Sequence, residues 1–286
     1  MLFKLNYSIY EFSEEIKEIH NSKYEKKNFK LKKLRRLYKE NKLDNSLVIW
    51  EEKDIRLKRF FEDTIKEEVK NILLEMNPQW KFFQIESPSL IPMELINPEY
   101  SNDDIWAQES KSETETKLAL KPETTASSYI YAEHLLDSHI VMPPFVVWQS
   151  SKSFRREQDQ PLKHMRLKEF QQQEFQCIYA ADTLNDYQER SLEPIRKMFQ
   201  DIISLPTRIV ESDRLPSYSL RTMDIEVFNE DKWMEICSIS KRSDFKKKAI
   251  ISYKNKVIEK DLLVLEIATS PDRILYNYLE RIKINI

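Results

Sequence analysis

Glycine is absent from this 286-residue chain, although average usage of about 7% would place roughly 20 in that length. Chance does not produce that number, so the composition reflects selection, or design, against the amino acid itself. A fold of this size must then fill left-handed turns, helix ends and close backbone approaches with Asn, Asp, Ser or Lys, under some strain. Cysteine is nearly as scarce. Cys177 and Cys237 lie far apart with no CxxC spacing, which excludes a disulfide framework and a cysteine zinc site and fits a reducing compartment. No apolar run of about 18 residues occurs, and the N-terminus MLFKLNYSIYEFSEEIKEIH has no uninterrupted apolar h-region. Neither a membrane span nor a secretory leader is expected, which leaves the cytoplasm. Net charge is missing too: 46 basic residues face 48 acidic ones, a formal charge of -2. The whole-molecule charge therefore argues neither for nor against a nucleic-acid partner, and any basic surface must be local.

What is present is apolar enough for a core, at 41% hydrophobic and 11% aromatic, in one large domain or two ordinary ones. Residues 9–45 read as helical and are basic from Lys23 to Lys42; a solvated face and a nucleic-acid or partner contact both fit. Residues 52–76 place Leu57, Phe61, Ile65, Val69 and Leu73 on one stripe at four-residue spacing, a helix whose stripe is core or a dimer face. WKFFQIESPSL reads as a strand stopped at Pro88, and 101–117 as a polar loop. Strands are expected near 144–150, 153–157, 168–179, 219–228, 233–239 and 257–267, with helices near 125–137 and 190–204. Short turns between the later strands favour an α+β fold on an antiparallel sheet over βαβ winding.

The stretch FRREQDQPLKHMRLKEFQQQEF, residues 154–175, is either a charged solvated surface or part of a site for a polyanion. With 168–178 as a strand, Phe170, Gln172, Glu174 and Gln176 share one face, while Phe175, Cys177 and Tyr179 take the other. A neighbouring strand would bring Arg155, Arg156 and Glu157 beside them. Guanidinium for phosphate, carboxylate for an exocyclic amine and a ring for a base are what a nucleotide requires. Further on, an apolar strand from Leu262 to Ile267 passes into a helix with Ser270 as N-cap and Pro271 as first residue. Arg273 falls in its first turn, where free backbone donors already favour anions; a purely structural role fits as well.

These segments resemble class II aminoacyl-tRNA synthetases. SFRREQDQPLKHMRLKEF is similar to motif 2, an F-R-x-E strand, loop and R-x-x-E-F strand. EIATSPDRILYNYLE is similar to motif 3, which is normally glycine-rich before its arginine, and Pro88 fits the proline of motif 1. Within the class the resemblance is to glycyl-tRNA synthetase of the archaeal, eukaryotic and dimeric bacterial type. LKPETTASS matches its L-R-P-E-T-A-Q-G stretch, MDIEVFNEDKWMEICSISKRSDF its W-D-A-E-V, W-V-E and G-I-A-D-R-T-D-Y blocks, and LEIATSPDR its I-E-P-S-F-G-x-x-R. The likeness runs from about residue 48 to 282, leaving 1–47 as a basic helical segment before a catalytic domain at 48–286.

The resemblance implies activation of glycine with ATP and Mg2+ and transfer to tRNA(Gly). It implies ATP contacts from Arg155, Glu157, Arg166, Leu167, Phe170 (stacked on adenine), Glu235 (near the metal or phosphates) and Arg273, with Arg155 and Arg273 as the catalytic cations. It implies that Glu123, Glu174 and Glu266 surround the ammonium group of the amino acid, with Arg242 holding the pocket together, and that the protein is a homodimer through the motif 1 region. Departures accompany it. Ala268 stands for a serine lining the α-carbon, Thr269-Ser270 for Phe-Gly, Gln176 for a glutamate and Lys241 for an aspartate. Ser128, Lys163, Ser238 and Ser270 occupy positions that the family fills with glycine, and strain is expected there. No C-terminal anticodon-binding domain is expected after motif 3, and recognition is then expected to rest on the tRNA acceptor stem. An adenylate-forming relative that loads a carrier protein, and a non-catalytic interaction paralogue, are the other two classes; retention of Arg155, Glu157, Phe170 and Arg273 argues against the second.

Overall fold

The computed structural model describes residues 47–108, 116–156, 166–213, 215–229, 232–253 and 256–284. The chain separates into two units, Met1–Ile49 and Trp50–Ile286. The basic segment lies, but for its last residue, outside the described residues, and so do Glu157 and Lys163.

In the second unit, α1 (Glu52–Met76) is followed by β1 (Lys81–Gln84), β2 (Leu90–Pro92), a 3-10 turn (Met93–Leu95), β3 (Leu118–Leu120), α2 (Thr125–Asp137), β4 (Phe145–Phe154) and β5 (Glu169–Ala180). Then come α3 (Tyr187–Ile203), β6 (Thr207–Glu211), β7 (Ser219–Asn229), β8 (Lys232–Arg242), β9 (Ala249–Tyr253), β10 (Lys256–Lys260), β11 (Leu262–Thr269) and α4 (Pro271–Ile284). Seven strands form one sheet in the order β1-β4-β5-β11-β8-β7-β6. Every pairing in it is antiparallel except that of β1 with β4, which is parallel. The chain between those two strands includes α2, a connection long enough for a parallel crossover.

Helix α1 buries Phe61, Ile65, Val69 and Leu73, as the four-residue stripe requires. Helices α1, α3 and α4 pack on one another, with α4 against β5 and β7 and α3 against β7 and β8. They cover the face that carries Phe175, Cys177, Leu265, Ile267, Cys237 and Ile239, all buried. Helix α2 packs on β4 and β5, where Ala132, Leu135 and Leu136 join Phe145, Val147, Ile178 and Val264 in a second apolar cluster. Among the described residues no helix is long and apolar enough to cross a membrane.

Local differences from the sequence expectations have identifiable causes. The strands expected at 144–150 and 153–157 are one strand, β4, because Ser150–Ser153 stay in register with Gln173–Phe170 despite their polarity. The expected strand at 257–267 is two, β10 and β11. The first forms a hairpin with β9 and the second enters the main sheet. Strand β1 stops at Gln84, before Pro88, and β2, β3, β6 and β9 carry too few residues for a clear alternation. Helix α3 starts at Tyr187, capped by Asp186, whose Oδ1 accepts from the Glu189 amide at 3.2 Å.

Strain from the missing glycine sits elsewhere than expected. Among the described residues only His139 (φ 53°) and Ser204 (φ 55°) are left-handed, so Ser128, Ser238 and Ser270 are not. His139 ends α2 in a Schellman arrangement, with Ile140 N donating to Leu135 O at 3.0 Å and His139 N to Leu136 O at 3.1 Å. Ser204 closes α3 through a single bond from its amide to Gln200 O at 2.7 Å. Both are helix ends where glycine avoids the Cβ clash. His139→Gly and Ser204→Gly are each expected to stabilise the chain by about 1 kcal/mol, a rise of a few degrees in Tm. Ser128→Gly should instead lower Tm, because Ser128 lies inside α2 and its Oγ accepts from Gln149 Nε2 at 2.8 Å. Melting of the three variants beside the parent decides the matter. An unchanged Tm at both left-handed sites would show that the backbone there is not strained.

Candidate functional site

On the other face of the sheet, paired residues stack polar on polar. Glu174 of β5 lies opposite Gln149 and Ala268, and Gln176 opposite Glu266. Glu266 in turn lies opposite Ser240, and Ala268 opposite Ser238. Paired residues in an antiparallel ladder project to one side, so the spacing in β5 and β11 makes one floor across four strands, β4, β5, β11 and β8.

Three carboxylates meet on it, all buried: Glu123, which precedes α2, with Glu174 and Glu266. Glu174 Oε2 accepts from Thr124 Oγ1 at 2.6 Å, Thr125 Oγ1 at 3.2 Å and Gln176 Nε2 at 3.2 Å, and its Oε1 accepts from Gln172 Nε2. Glu266 Oε2 accepts from Arg242 Nη1 at 2.5 Å, Gln176 Nε2 at 2.7 Å and Thr125 Oγ1 at 3.2 Å. Glu123 Oε2 accepts from the hydroxyl of Tyr100 at 3.2 Å. Arg242 is 1% exposed. Its guanidinium is held by Asp244 at 2.7 Å and lies over the rings of Tyr218 at 4.0 Å and Tyr129 at 5.5 Å. Burial works against its charge, yet Glu266 and the other anionic neighbours raise its pKa above the usual arginine value. Lys241 reaches Asp186 at 3.5 Å, and support for Arg242 comes from Asp244.

The cluster is short of positive charge. Burial, then the neighbouring Glu266 and Glu123, push Glu174 up to about 8, and burial raises Glu123 as well. The folded chain thus keeps a proton on Glu174 to about pH 8, whereas the unfolded chain releases it near 4.5. Between those values the native state binds more protons. The contribution of Glu174 is complete below about pH 4.5 and is lost as pH rises through 8, at up to about 1.4 kcal/mol per pH unit. Urea unfolding should therefore show stability falling over this window in the parent, and falling less in Glu174→Gln, which resembles the protonated form. An equal slope in both would place the proton elsewhere.

Beside the carboxylates stands Arg155. Its Nε donates to Pro122 O at 3.1 Å and its Nη2 to the Tyr100 hydroxyl at 3.1 Å, and its guanidinium lies 5.3 Å from the centre of the Phe170 ring. A cavity of about 430 Å3 is lined by Arg166, Glu235, Arg273, Asp224, Arg208 and Trp233 among others. Arg273 is set by its helix: Asp272 next to it accepts from the Gln171 amide at 2.6 Å and pairs with Lys58 of α1 at 3.0 Å. Arg273 Nη1 then donates to Glu235 O at 3.1 Å and lies 3.4 Å from Glu235 Oε1. Such a cavity, with cations on opposing elements, suits a phosphorylated ligand.

Among the described residues no group of three or more His, Cys, Asp or Glu side chains forms a metal cage. The cavity wall carries the carboxylates of Glu211, Asp213, Glu226, Glu235 and Asp224, and burial followed by Glu235 pushes Asp224 up to about 6. Of these, Glu235 and Asp224 lie close enough to interact and fit Mg2+, an ion that keeps several waters and takes its remaining ligands from phosphate oxygens.

The structure thus gathers Glu123, Glu174, Glu266, Arg242 and Ala268 in one cluster, Arg155 with Phe170 at its edge, and Arg166, Glu235 and Arg273 around the cavity. Leu167 is buried in the core at 2% exposure. Sequence reasoning passes over Tyr100, Tyr218, Thr124 and Thr125, although both threonines lie in the LKPETTASS stretch. It also passes over Lys121, fully buried, whose Nζ donates to Ser87 Oγ at 2.7 Å and Ser151 Oγ at 2.8 Å and ties that stretch to β4. Burial pushes this ammonium down to about 8.

The sequence is 32% identical over 166 residues to a glycine–tRNA ligase of Mycoplasma capricolum subsp. capricolum, covering 56% of this chain and 35% of that protein. The chain spans about a third of the length of the curated relatives it matches. In fold it is similar to prolyl-tRNA synthetase from Giardia lamblia in complex with prolyl-adenylate (TM-score 0.63, 17% identity, 89% of this chain and 53% of that one). It is also similar to prolyl-tRNA synthetase from Cryptosporidium parvum complexed with halofuginone and AMPPNP (TM-score 0.63, 14% identity, 82% and 48%). The tRNA synthetase class II core domain (G, H, P, S and T) matches residues 106–281. That span takes in the three carboxylates, Arg155 and the residues that line the cavity, and on it the chain belongs to the class II tRNA synthetase core family.

Proposed function

We propose that this chain activates glycine with ATP and passes the product to tRNA(Gly), as a cytoplasmic homodimer of the archaeal, eukaryotic and dimeric bacterial kind of glycyl-tRNA synthetase. The observation that carries the reading is the buried cluster of three carboxylates with Arg155 and Phe170 at its edge, together with the cavity that bears Arg166 and Arg273. The glycine–tRNA ligases among its relatives support it. An ammonium group among Glu123, Glu174 and Glu266 leaves the carboxylate of the amino acid free to attack the α-phosphate of ATP. The charge that builds there is met by Arg155, and Arg273 holds the far phosphates; fixed cations and positioning supply most of the rate. Pyrophosphate departs, and the hydroxyl of the tRNA acceptor end then attacks the acyl carbon of the adenylate, forming the ester as AMP leaves and the hydroxyl proton is released. Mg2+ held by Glu235, with Asp224 beside it, would neutralise phosphate charge. A glycine-activating enzyme free of glycine can be translated when glycyl-tRNA is exhausted, which accounts for the composition.

Glycine-dependent pyrophosphate exchange tests the first step, and charging of tRNA against a carrier protein tests the second. Absence of exchange with any amino acid would favour an interaction protein. Selectivity is a separate expectation. Ala268 removes a hydroxyl and leaves more room, and one methyl group gives about 1–3 kcal/mol of discrimination at most. Ala268→Ser should raise the ratio of kcat/KM for glycine over alanine by about tenfold, and an unchanged ratio would assign exclusion of alanine to another residue.

A further inference from the structure

We infer that Gln176 is a ligand of the amino acid itself, with its Oε1 accepting a hydrogen of the substrate ammonium group while its Nε2 draws Glu174 and Glu266 together. The inference rests on the amino-acid pocket proposed above. Gln176 is fully buried. Its Nε2 donates to Glu266 Oε2 at 2.7 Å and to Glu174 Oε2 at 3.2 Å, and the orientation of the amide follows from the first bond, since the reverse would set a carbonyl oxygen against the carboxylate that Arg242 pairs with. Its Oε1 is buried and has no hydrogen-bond partner among the described residues.

A buried acceptor without a donor is rarely retained unless a ligand completes it. Two other glutamines share this property, Gln173 and Gln188, but their amides donate to backbone carbonyls, Glu62 O for the first and Arg221 O and Ile239 O for the second. Gln176 alone of the three stands between carboxylates that await a cation. An ammonium group offers three N–H donors. Glu174 gives up to solvent the proton that it holds in the empty cluster; it and Glu266, already bridged by Nε2, can then each take one, and Oε1 can take the third. A glutamate at this position would offer the acceptor but could not donate to both carboxylates, having at most one hydrogen to give.

The test is calorimetric titration of glycine, and of ATP as control, into the full chain and into Gln176→Met and Gln176→Glu. Gln176→Met keeps the volume and loses both functions; its affinity for glycine should fall at least about tenfold, the loss of a hydrogen bond to a charged donor, with ATP binding unchanged. Gln176→Glu restores the acceptor without the double donation, and should recover most of the affinity. If Gln176→Glu binds glycine as poorly as Gln176→Met, the residue only holds the two carboxylates in place and the inference is overturned. If the parent binds glycine and Gln176→Met binds it equally, Gln176 has no part in recognition while the glycine reading stands. If the parent binds a different small amino acid and Gln176→Met loses it, the assignment of Gln176 holds and glycine is the wrong substrate. A parent that binds no amino acid overturns both.

Discussion

Arg155→Ala is expected to lower glycine-dependent pyrophosphate exchange by about 100- to 1000-fold in kcat/KM, equivalent to about 3–4 kcal/mol, the cost of losing one fixed donor at a centre where charge develops. The geometry gives two reasons to expect a loss of this size. The guanidinium is anchored before any ligand arrives, by Pro122 O and the Tyr100 hydroxyl, each at 3.1 Å. It also lies over Phe170 at 5.3 Å, the ring assigned to adenine. A cation held in place beforehand has little ordering left to do as the reaction proceeds, so its removal takes away the full interaction. Arg155→Lys should recover only part of the rate, because one ammonium cannot reach two anchors and present a planar face to a ring. Melting temperature serves as the control, since Arg155 is only partly buried. Exchange at the parental rate in Arg155→Ala would remove it from the reaction and with it the assignment of motif 2.

The largest effect on stability is expected at Arg242. It is the guanidinium bonded to Glu266 within the carboxylate cluster, almost fully buried and paired at once with Glu266 and Asp244. Replacing it by methionine leaves buried carboxylates without their counter-charge, a change that costs about 3–5 kcal/mol where one partner of a buried pair is removed. The deficit should depend on pH in a definite direction. Without the guanidinium the carboxylates hold their protons more tightly, so as pH falls they become neutral in the folded chain and the loss is relieved. Urea unfolding of parent and Arg242→Met should accordingly differ more at about pH 8 than at about pH 5. Arg242→Lys should not restore stability, since an ammonium cannot bridge Glu266 and Asp244 in one plane while lying between Tyr218 and Tyr129. A deficit independent of pH would mean that Arg242 acts through packing, not through charge.

Motif spacing alone singles out most of the residues that the structure gathers into the carboxylate cluster and around the cavity. The alternation in β5 is enough to put Glu174 and Gln176 on one face, because a strand alternates its side chains whatever surrounds it. The passage from β11 into α4 is equally legible, since an apolar run followed by Ser-Pro marks a helix start; Ile274 N donates to Ser270 O at 3.1 Å, as that boundary requires. Strain is not legible in the same way. Strain is expected from the sequence at Ser128, Ser238 and Ser270, but left-handed backbone follows from how a helix is made to end, and among the described residues it falls at His139 and Ser204.

By itself, then, the sequence determined the α+β class, the amphipathic helices, the alternating strands and the set of residues able to meet phosphate and ammonium groups, because each follows from local periodicity and side-chain chemistry. Only the tertiary structure decided that β1 runs parallel to β4, that Tyr100, Thr124, Thr125 and Tyr218 join the carboxylates, and that the amide of Gln176 lies between Glu174 and Glu266. Those residues are separated by up to 141 positions in the chain, as in the bond from Thr125 to Glu266. Contacts over such distances depend on strand order and register, which are set by burial of a whole sheet face against helices and which no short window of sequence contains.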